Sequence, residues 1–352
     1  AHSLDVNDSG NANTAVGKSS MQNNVSGYSN VAIGLESLRD NTNGHRNVAV
    51  GIEALKLNTE GFYNVGIGTY ALDGNTTGDN NVAVGMHSLS ANNANSNTGI
   101  GHFALAANTS GTSNVAVGAN ALDANTTGLM NTAVGSNSLG ANTASYNTAL
   151  GNASLINNTT GSQNTAVGHD ALNDNVGGHF NVAMGSNALA FNTSGDNNTA
   201  IGTSALYANI DADNNVAVGR GCLGANQNGQ ENVAIGANAA DAGTNISNTV
   251  AVGYNALTST TNNHNTAVGS KALEDTTTGS SNVAVGSLCL TDNIGGVNNV
   301  AVGFASLRYN QTGQNNTALG AGTLTGNGGS NSVGVGAQDL NANTASQNTA
   351  VG

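Results

Sequence analysis

Histidine and cysteine are the residue types in this sequence that most often ligate metals or act as nucleophiles. The 352-residue chain has seven histidines and two cysteines, and a zinc site needs three or four such ligands close together. His87 and His102 stand in neighbouring sequence repeats, but no third ligand accompanies them. We therefore expect no catalytic site, no metal site and no cofactor. The remaining histidines are His2, His45, His169, His179 and His264.

The cysteines and the acidic residues also lack the spacing of a site. Cys222 and Cys289 stand four repeats apart, about 19 Å if successive coils stack at a strand spacing of ~4.8 Å, which is too far for a disulfide. Acidic residues such as Asp79 and Asp196 are scattered, and no Gly-Gly-x-Gly-x-Asp calcium repeat occurs. We expect the cysteines to replace alanine in a core and the carboxylates to supply solubility.

The composition excludes several classes of protein. The chain has 49 Gly, 62 Asn, no Pro, no Trp and a formal net charge of −13, and only 8% of its residues are charged. The negative charge disfavours nucleic-acid partners, and no apolar run approaches the ~20 residues that span a bilayer. This segment is therefore predicted to bind no nucleic acid and to insert into no membrane.

The motif Asn-Val/Thr-Ala-aliphatic-Gly recurs through the whole chain. Its closing glycines divide the sequence into 21 repeats, sixteen of 17 residues and five of 16. The Val-Ala-Val alternation is typical of a β-strand, and the segment from the glycine to a leucine four places later is long enough for a second short strand. The Asn-Thr-Thr-Gly stretch that follows is typical of a turn. Such a period suits one coil of a parallel β-solenoid in which each coil pairs with the next.

Stacked coils should align equivalent residues in columns. The leucine four places after the glycine is predicted to form the spine of the core, and the asparagine before the strand a hydrogen-bonded ladder that fixes the register. Either the strand alanine or the two aliphatic residues beside it could face inward, and we favour the alanine. Outward aliphatic residues would then need cover from another chain. The predicted ladder residues are Asn30, Asn47, Asn64, Asn81 and Asn114, with Leu38, Leu55, Leu72 and Leu89, Val50 and Val84, and Gly34, Gly51 and Gly68.

A second glycine stands ten places after the first in 14 of the sixteen long repeats and in none of the short ones. We expect this residue, for example Gly44, to adopt positive φ and to host a one-residue bulge. The short repeats should instead turn a tighter corner, as from Asn142 to Asn147. Threonine occurs eight places after the glycine in 12 repeats, including Thr42 and Thr59. A flat threonine array could bind ice, although threonine is also common in turns.

The segments Asn30-Val31-Ala32-Ile33-Gly34 and Asn232-Val233-Ala234-Ile235-Gly236 resemble the head repeats of trimeric autotransporter adhesins, the YadA-like heads. That resemblance covers all 21 repeats and implies a left-handed parallel β-roll whose three copies pack into a trimer on a bacterial surface. The period here is longer than in that family, so its loop geometry and ligand surface do not carry over. The longer form from Asn114 to Gly128 is also similar to arrays in phage tail-fibre-like proteins and large bacterial surface proteins.

Together these observations predict an all-β parallel β-solenoid, or β-roll, of 21 coils over residues 1–352. We expect one continuous array, excised from a longer chain without its caps, and packed laterally as a left-handed homotrimer. The expected function is non-enzymatic: an extracellular, cell-surface fibre segment that extends a rod and attaches through repeated contacts with a cell-surface or matrix ligand. The alternatives are a receptor-binding segment of a phage tail fibre, on a virion, or an ice- or glycan-binding solenoid.

Overall fold

The computed structural model describes residues 3–326, 329–341 and 344–352. Each repeat contributes one three-residue β-strand, and each strand pairs in parallel with that of a neighbouring coil, so the predicted all-β parallel solenoid is confirmed. The strands are β1 (Thr14–Val16), β2 (Val31–Ile33), β3 (Val48–Val50), β4 (Val65–Ile67), β5 (Val82–Val84), β6 (Thr98–Ile100), β7 (Val115–Val117), β8 (Thr132–Val134), β9 (Thr148–Leu150), β10 (Thr165–Val167), β11 (Val182–Met184), β12 (Thr199–Ile201), β13 (Val216–Val218), β14 (Val233–Ile235), β15 (Val250–Val252), β16 (Thr266–Val268), β17 (Val283–Val285), β18 (Val300–Val302), β19 (Thr317–Leu319), β20 (Val333–Val335) and β21 (Thr349–Val351).

The chain forms two compact units, Ala1–Gly177 and Gly178–Gly352. The first contains β1 to β10 and the second β11 to β21, and within each unit the pairing joins consecutive strands. Identical positions are in register: Ala32 pairs with Ala49 in the first unit, and Ala217 with Ala234 in the second. The repeat of the sequence is therefore also the repeat of the hydrogen-bonded sheet.

The strand alanines face the interior, as we predicted. Ala49 and the neighbouring Leu38 and Leu55 are fully buried, whereas Val48 and Val50, on either side of Ala49, are only half-buried. Successive side chains of a strand point to opposite faces. The thin core of each coil is thus made of alanine and leucine, and one face of every strand is turned outward.

The expected second strand does not form, because the segment between the glycine and the leucine is a turn. Glu36 and Leu38 both adopt left-handed backbone conformations, with φ of 54° and 50°, and these curl the chain where a strand would extend it. Such a conformation costs L-residues about 1–2 kcal/mol each. Bonds between coils offset this cost, since the N–H of Leu38 donates to the carbonyl of Ala54 at 2.9 Å and that of Glu36 to the carbonyl of Lys18 at 2.9 Å.

In most long coils two glycines stand where a side chain would collide with neighbouring atoms. Gly51 has φ of 135°, and a Cβ placed on it would lie 2.6 Å from the carbonyl oxygen of Gly68. Gly44, which we term a corner glycine, lacks the expected positive φ, so the predicted bulge is wrong at this position. A Cβ on Gly44 would instead lie 2.3 Å from Oδ1 of Asn41. Lack of space is the reason for glycine at the corner.

Candidate functional site

The asparagines that precede the strands, here called the pre-strand asparagines, join each coil to both of its neighbours. The backbone N–H of Asn47 donates to Oδ1 of Asn30 in the previous coil at 2.9 Å, and its Nδ2 donates to the carbonyl of Gly61 in the next coil at 2.8 Å. Asn30 donates to the carbonyl of Gly44 in the same way, at 2.9 Å. These side chains are fully buried. Because each of these bonds joins a side chain to the backbone of a neighbouring coil, the column fixes the register.

The other predicted ladder residues of the first unit occupy equivalent places. Three further asparagines accept the N–H of the following asparagine and donate to a corner carbonyl, as Asn47 does. The leucines are fully buried, and the valines are half-buried on the outer face. The closing glycines each contact the next closing glycine through the backbone. These residues are Asn64, Asn81 and Asn114, with Leu72 and Leu89, Val50 and Val84, and Gly34, Gly51 and Gly68.

A second column of buried asparagines, seven places after the closing glycine, was not anticipated from the sequence. In this column of corner asparagines, Nδ2 of Asn41 donates to Oδ1 of Asn24 at 2.7 Å and to the carbonyl of Gly44 at 2.9 Å. Asn58 donates to Oδ1 of Asn41 at 3.0 Å. Here amide bonds to amide, and since the Gly44 carbonyl also accepts from Asn30, the corner glycine links the two columns. Aligning the repeats on the closing glycine would have shown this column as well.

The amide ladder is interrupted before two of the coils that have one residue fewer. Oδ1 of Asn75 and Oδ1 of Asn125 are buried without a hydrogen-bond partner, and each of these residues precedes a 16-residue coil. In the first of those coils, Nδ2 of Asn92 donates to the carbonyl of Ala94, two places on, at 2.9 Å, and Asn142 has the same arrangement. The short coils therefore turn a tighter corner, as predicted, at the cost of one amide bond.

In one coil of the second unit, an apolar side chain fills the place of the corner asparagine side chain. Gly243 stands where most other coils have the corner asparagine, and the fully buried Ile246 replaces the corner glycine. A Cβ on Gly243 would lie 2.8 Å from the Ile246 side chain, so the isoleucine occupies the place of the missing amide. As a result Oδ1 of Asn226, in the preceding coil, has no hydrogen-bond partner.

The outer face of the strands presents apolar side chains to solvent. The residue before each closing glycine is aliphatic and projects outward, and neighbouring strands place these residues side by side, for example Ile33 beside Val50. Ile33 is 41% exposed and Leu150 48%. We call these residues, with the Val or Thr two places earlier, the apolar strand face. Further exposed members are Ile67 and Ile100 in the first unit and Met184, Ile201 and Ile235 in the second.

Aromatic rings also form columns, and each of these columns combines different residue types. Neither the histidines nor the tyrosines align among themselves, but the ring of His45 lies between those of Tyr28 and Phe62, with centroids 4.6 and 5.1 Å away and nearly parallel planes. These three residues are equivalent in consecutive coils. A second stack joins Tyr70, His87 and Phe103 at 4.9 and 5.0 Å.

The polar side chains of the corners are used within the solenoid. Oδ1 of Asp79 accepts the N–H of Phe62 at 2.9 Å, and Oδ1 of Asp213 that of Asp196 at 2.7 Å. The hydroxyl of Thr42 donates to the carbonyl of the equivalent threonine, Thr59, in the next coil at 2.9 Å. The threonine column is therefore hydrogen-bonded to the neighbouring backbone, which leaves fewer of its donors for ordering water.

Both cysteines are buried. Burial raises the pKa of the Cys222 thiol to about 12 and that of the Cys289 thiol to about 12, and both thiols are free. Within residues 3–326, 329–341 and 344–352, no three His, Cys, Asp or Glu side chains lie close enough to share a metal ion. The same part of the chain has no helix that is long and apolar enough to span a membrane. His2 lies outside the described residues.

Comparison with known proteins adds no relative. No protein-family model matches the chain, and no significant match was found among curated proteins. Functional inference therefore depends on the geometry of the solenoid and on the motif residues themselves.

Proposed function

We propose that this chain is a non-enzymatic structural and adhesive segment of an extracellular fibre or cell-surface appendage. The observation that carries the proposal is the apolar strand face, which recurs in coil after coil while the interior is filled by alanine, leucine and asparagine. Soluble monomers rarely expose long continuous apolar surfaces. A repeated face of this kind suits lateral packing of rods.

The proposed occupant of the apolar strand face is a second and a third copy of the same chain. Each coil offers one short strand face, so three copies related by a threefold axis could enclose their aliphatic residues in a common core. This is the arrangement of left-handed β-rolls in the trimeric adhesin heads that the Asn-Val-Ala-Ile-Gly motif resembles. In such a trimer Ile33 and Leu150, now 41% and 48% exposed, would be buried.

The rest of the coil surface would then be available for attachment. The corners carry polar side chains in every repeat, and identical coils offer equivalent sites along the chain. Many weak contacts along one repetitive chain gain avidity without any single strong site. A ligand on a cell surface or in an extracellular matrix suits this design, and a virion fibre would use the same construction.

Mass-resolved light scattering tests the self-association. We expect three times the chain mass of 34.6 kDa. The double variant Ile67→Glu/Ile100→Glu should shift the mass to that of one chain, because both residues lie on the apolar strand face at 39% and 40% exposure. Leu57→Glu is a matched control, since Leu57 is equally exposed at 41% but lies outside the strands. A monodisperse monomer of the unchanged chain would overturn the proposal.

A further inference from the structure

An exposed guanidinium group lies between two tyrosine rings in the first unit. Cζ of Arg46 is 5.5 Å from the ring centroid of Tyr28 and 5.3 Å from that of Tyr63, and its Nη1 donates to the Tyr63 hydroxyl. Cation–π contacts on both sides hold the side chain in place. We call the cluster of Tyr28, His45, Arg46, Phe62 and Tyr63 the Arg46 site.

Arg46 has no ion-pair partner among the described residues. Arg39 and Lys56, by contrast, form ion pairs with Asp40 and Glu53 at 2.6 and 2.8 Å. No carboxylate of the described residues lies within ion-pair distance of Arg46, and the side chain is exposed. A guanidinium group has five N–H donors in a planar fork that matches a carboxylate. Most of these donors remain available to a ligand.

The ring of Tyr63 is held beside this cation. It makes edge contacts with His45 and Phe62, at centroid distances of 6.0 and 5.5 Å and interplanar angles of 67° and 77°. Tyr63 is nevertheless 45% exposed. Tyrosine and arginine are both among the residue types enriched in binding hot spots. The stacked rings of Tyr28, His45 and Phe62 supply a rigid base for it.

We propose that the Arg46 site binds an acidic sugar unit of a glycan, such as a hexuronic or sialic acid. The carboxylate would accept paired hydrogen bonds from the guanidinium group, and the C–H groups of the pyranose ring would pack on Tyr63, since aromatic faces carry negative charge density. One unpaired cation matches one carboxylate. A polyanion would meet the net charge of −13 and the carboxylate of Asp79, which accepts the N–H of Phe62 in the adjacent coil.

This inference specifies the attachment ligand and so rests on the adhesive part of the proposed function. It does not depend on the oligomeric state, because the rings and Arg46 precede the strands and lie outside the apolar strand face. A chain that forms trimers but binds no sugar would refute the Arg46 site alone. A monomer that binds the sugar would refute the trimer alone.

Calorimetric titration of the full chain with soluble glycosides tests the site. The probes are the methyl glycosides of glucuronic acid and of N-acetylneuraminic acid, both with free carboxylates, and methyl glucoside, acetate and a short Asp/Glu peptide serve for comparison. We expect at least one acidic glycoside to bind, and methyl glucoside to bind about tenfold more weakly because it lacks the charge-assisted contact with Arg46. Acetate should also bind about tenfold more weakly, because it keeps the carboxylate but has no ring to pack on Tyr63. Binding of neither acidic glycoside, or equal binding of acetate or the peptide, would overturn the proposal.

Two variants and one matched control locate the binding. Arg46→Gln should weaken binding about tenfold or more, and Arg46→Lys should recover only part of it, because lysine keeps the charge but lacks the fork. Arg308→Gln is the control, since Arg308 lies 5.1 Å from the ring of Tyr309 and over no second aromatic ring of the described residues. Binding that survives Arg46→Gln unchanged, with circular dichroism as for the unchanged chain, would also contradict the assignment.

Discussion

The backbone N–H of Asn47 donates to the side-chain oxygen of Asn30, seventeen residues earlier, at 2.9 Å. The corresponding N–H of Asn64 donates to Oδ1 of Asn47, also at 2.9 Å. Both side-chain bonds of Asn47 therefore go to the next coil: its Oδ1 accepts the N–H of Asn64, and its Nδ2 donates to the corner carbonyl of Gly61. The interior polar groups are satisfied only when neighbouring coils are in register, which explains how so thin an apolar core can specify one structure.

Replacing a pre-strand asparagine should destabilise the first unit. Asn47→Ala removes the acceptor of the buried Asn64 N–H and one donor to the Gly61 carbonyl. We expect the free energy of unfolding to fall by about 1–3 kcal/mol, and Asn47→Leu to be at least as damaging. Asn43→Ala, at an exposed corner position, should change it by less than ~0.5 kcal/mol. Urea unfolding followed by circular dichroism measures both, and equal effects would contradict the ladder.

Alanine in place of a closing glycine should be strongly destabilising. A methyl group on Gly51 would lie 2.6 Å from the Gly68 carbonyl oxygen, on a residue with φ of 135°. Clash and backbone strain together should cost about 3 kcal/mol or more. Gly140→Ala provides the comparison, because its nearest contact would be 3.4 Å from Ile156 and its φ is not positive. Gly140→Ala should leave the free energy of unfolding unchanged or raise it by up to ~1 kcal/mol. Thermal unfolding measures both variants.

Gly243 and Ile246 should show strong energetic coupling. Gly243→Asn alone overpacks against Ile246, at about 1–3 kcal/mol, and Ile246→Gly alone leaves a cavity, at about 2–5 kcal/mol. The double variant restores the asparagine and glycine of the other coils and offers a partner to Oδ1 of Asn226. We expect it to be more stable than either single variant in a double-mutant cycle. Additive losses would mean that the two residues do not share one space.

The cysteines should make stability depend on pH in the alkaline range. Burial raises the pKa of the Cys222 thiol from 9.0 to about 12 and that of Cys289 equally. Between these values the unfolded thiols ionise while the folded ones stay protonated, so the stabilising contribution is full below pH 9 and is lost as the pH rises towards 12. The free energy of unfolding of Cys222→Ala/Cys289→Ala should fall less over that range.

Alkylation gives an independent measure of the same burial. Iodoacetamide at pH 8 should leave both cysteines of the folded chain unmodified, because the thiolate is the reactive form. Both should react in urea, and mass spectrometry counts the added groups. Rapid modification of the folded chain would show that the thiols are accessible.

The register and the inward alanines were predictable because the strand motif is complete in nearly every repeat. The conformation of Leu38 was not, since leucine has no preference for positive φ and the bonds between coils impose it. Gly44 was identified as special, but positive φ and lack of space both select glycine. The corner asparagines, such as Asn41, lie in a stretch of turn-forming residues and so were assigned to the turn.

The Arg46 site was missed for a chemical reason. Tyrosine, histidine and phenylalanine are different letters, but their flat rings are interchangeable in a stack. The column of Tyr28, His45 and Phe62 is visible only when residues are grouped by shape. The contact of Arg46 with both Tyr28 and Tyr63 additionally requires the spacing of successive coils, which the sequence alone does not provide.

The linkage of both asparagine columns through corner carbonyls such as that of Gly44 has a consequence for how these genes can change. The hydrogen bonds of the Asn30 and Asn41 side chains reach only their own coil and those adjacent to it. If recombination duplicates or deletes one whole 17-residue repeat, every side-chain amide therefore still finds an equivalent hydrogen-bond partner in the adjacent coil. Losing a single codon at a corner already leaves an unpaired oxygen, as at Asn75. Selection can thus adjust the length of the array in steps of one coil, without redesigning any contact.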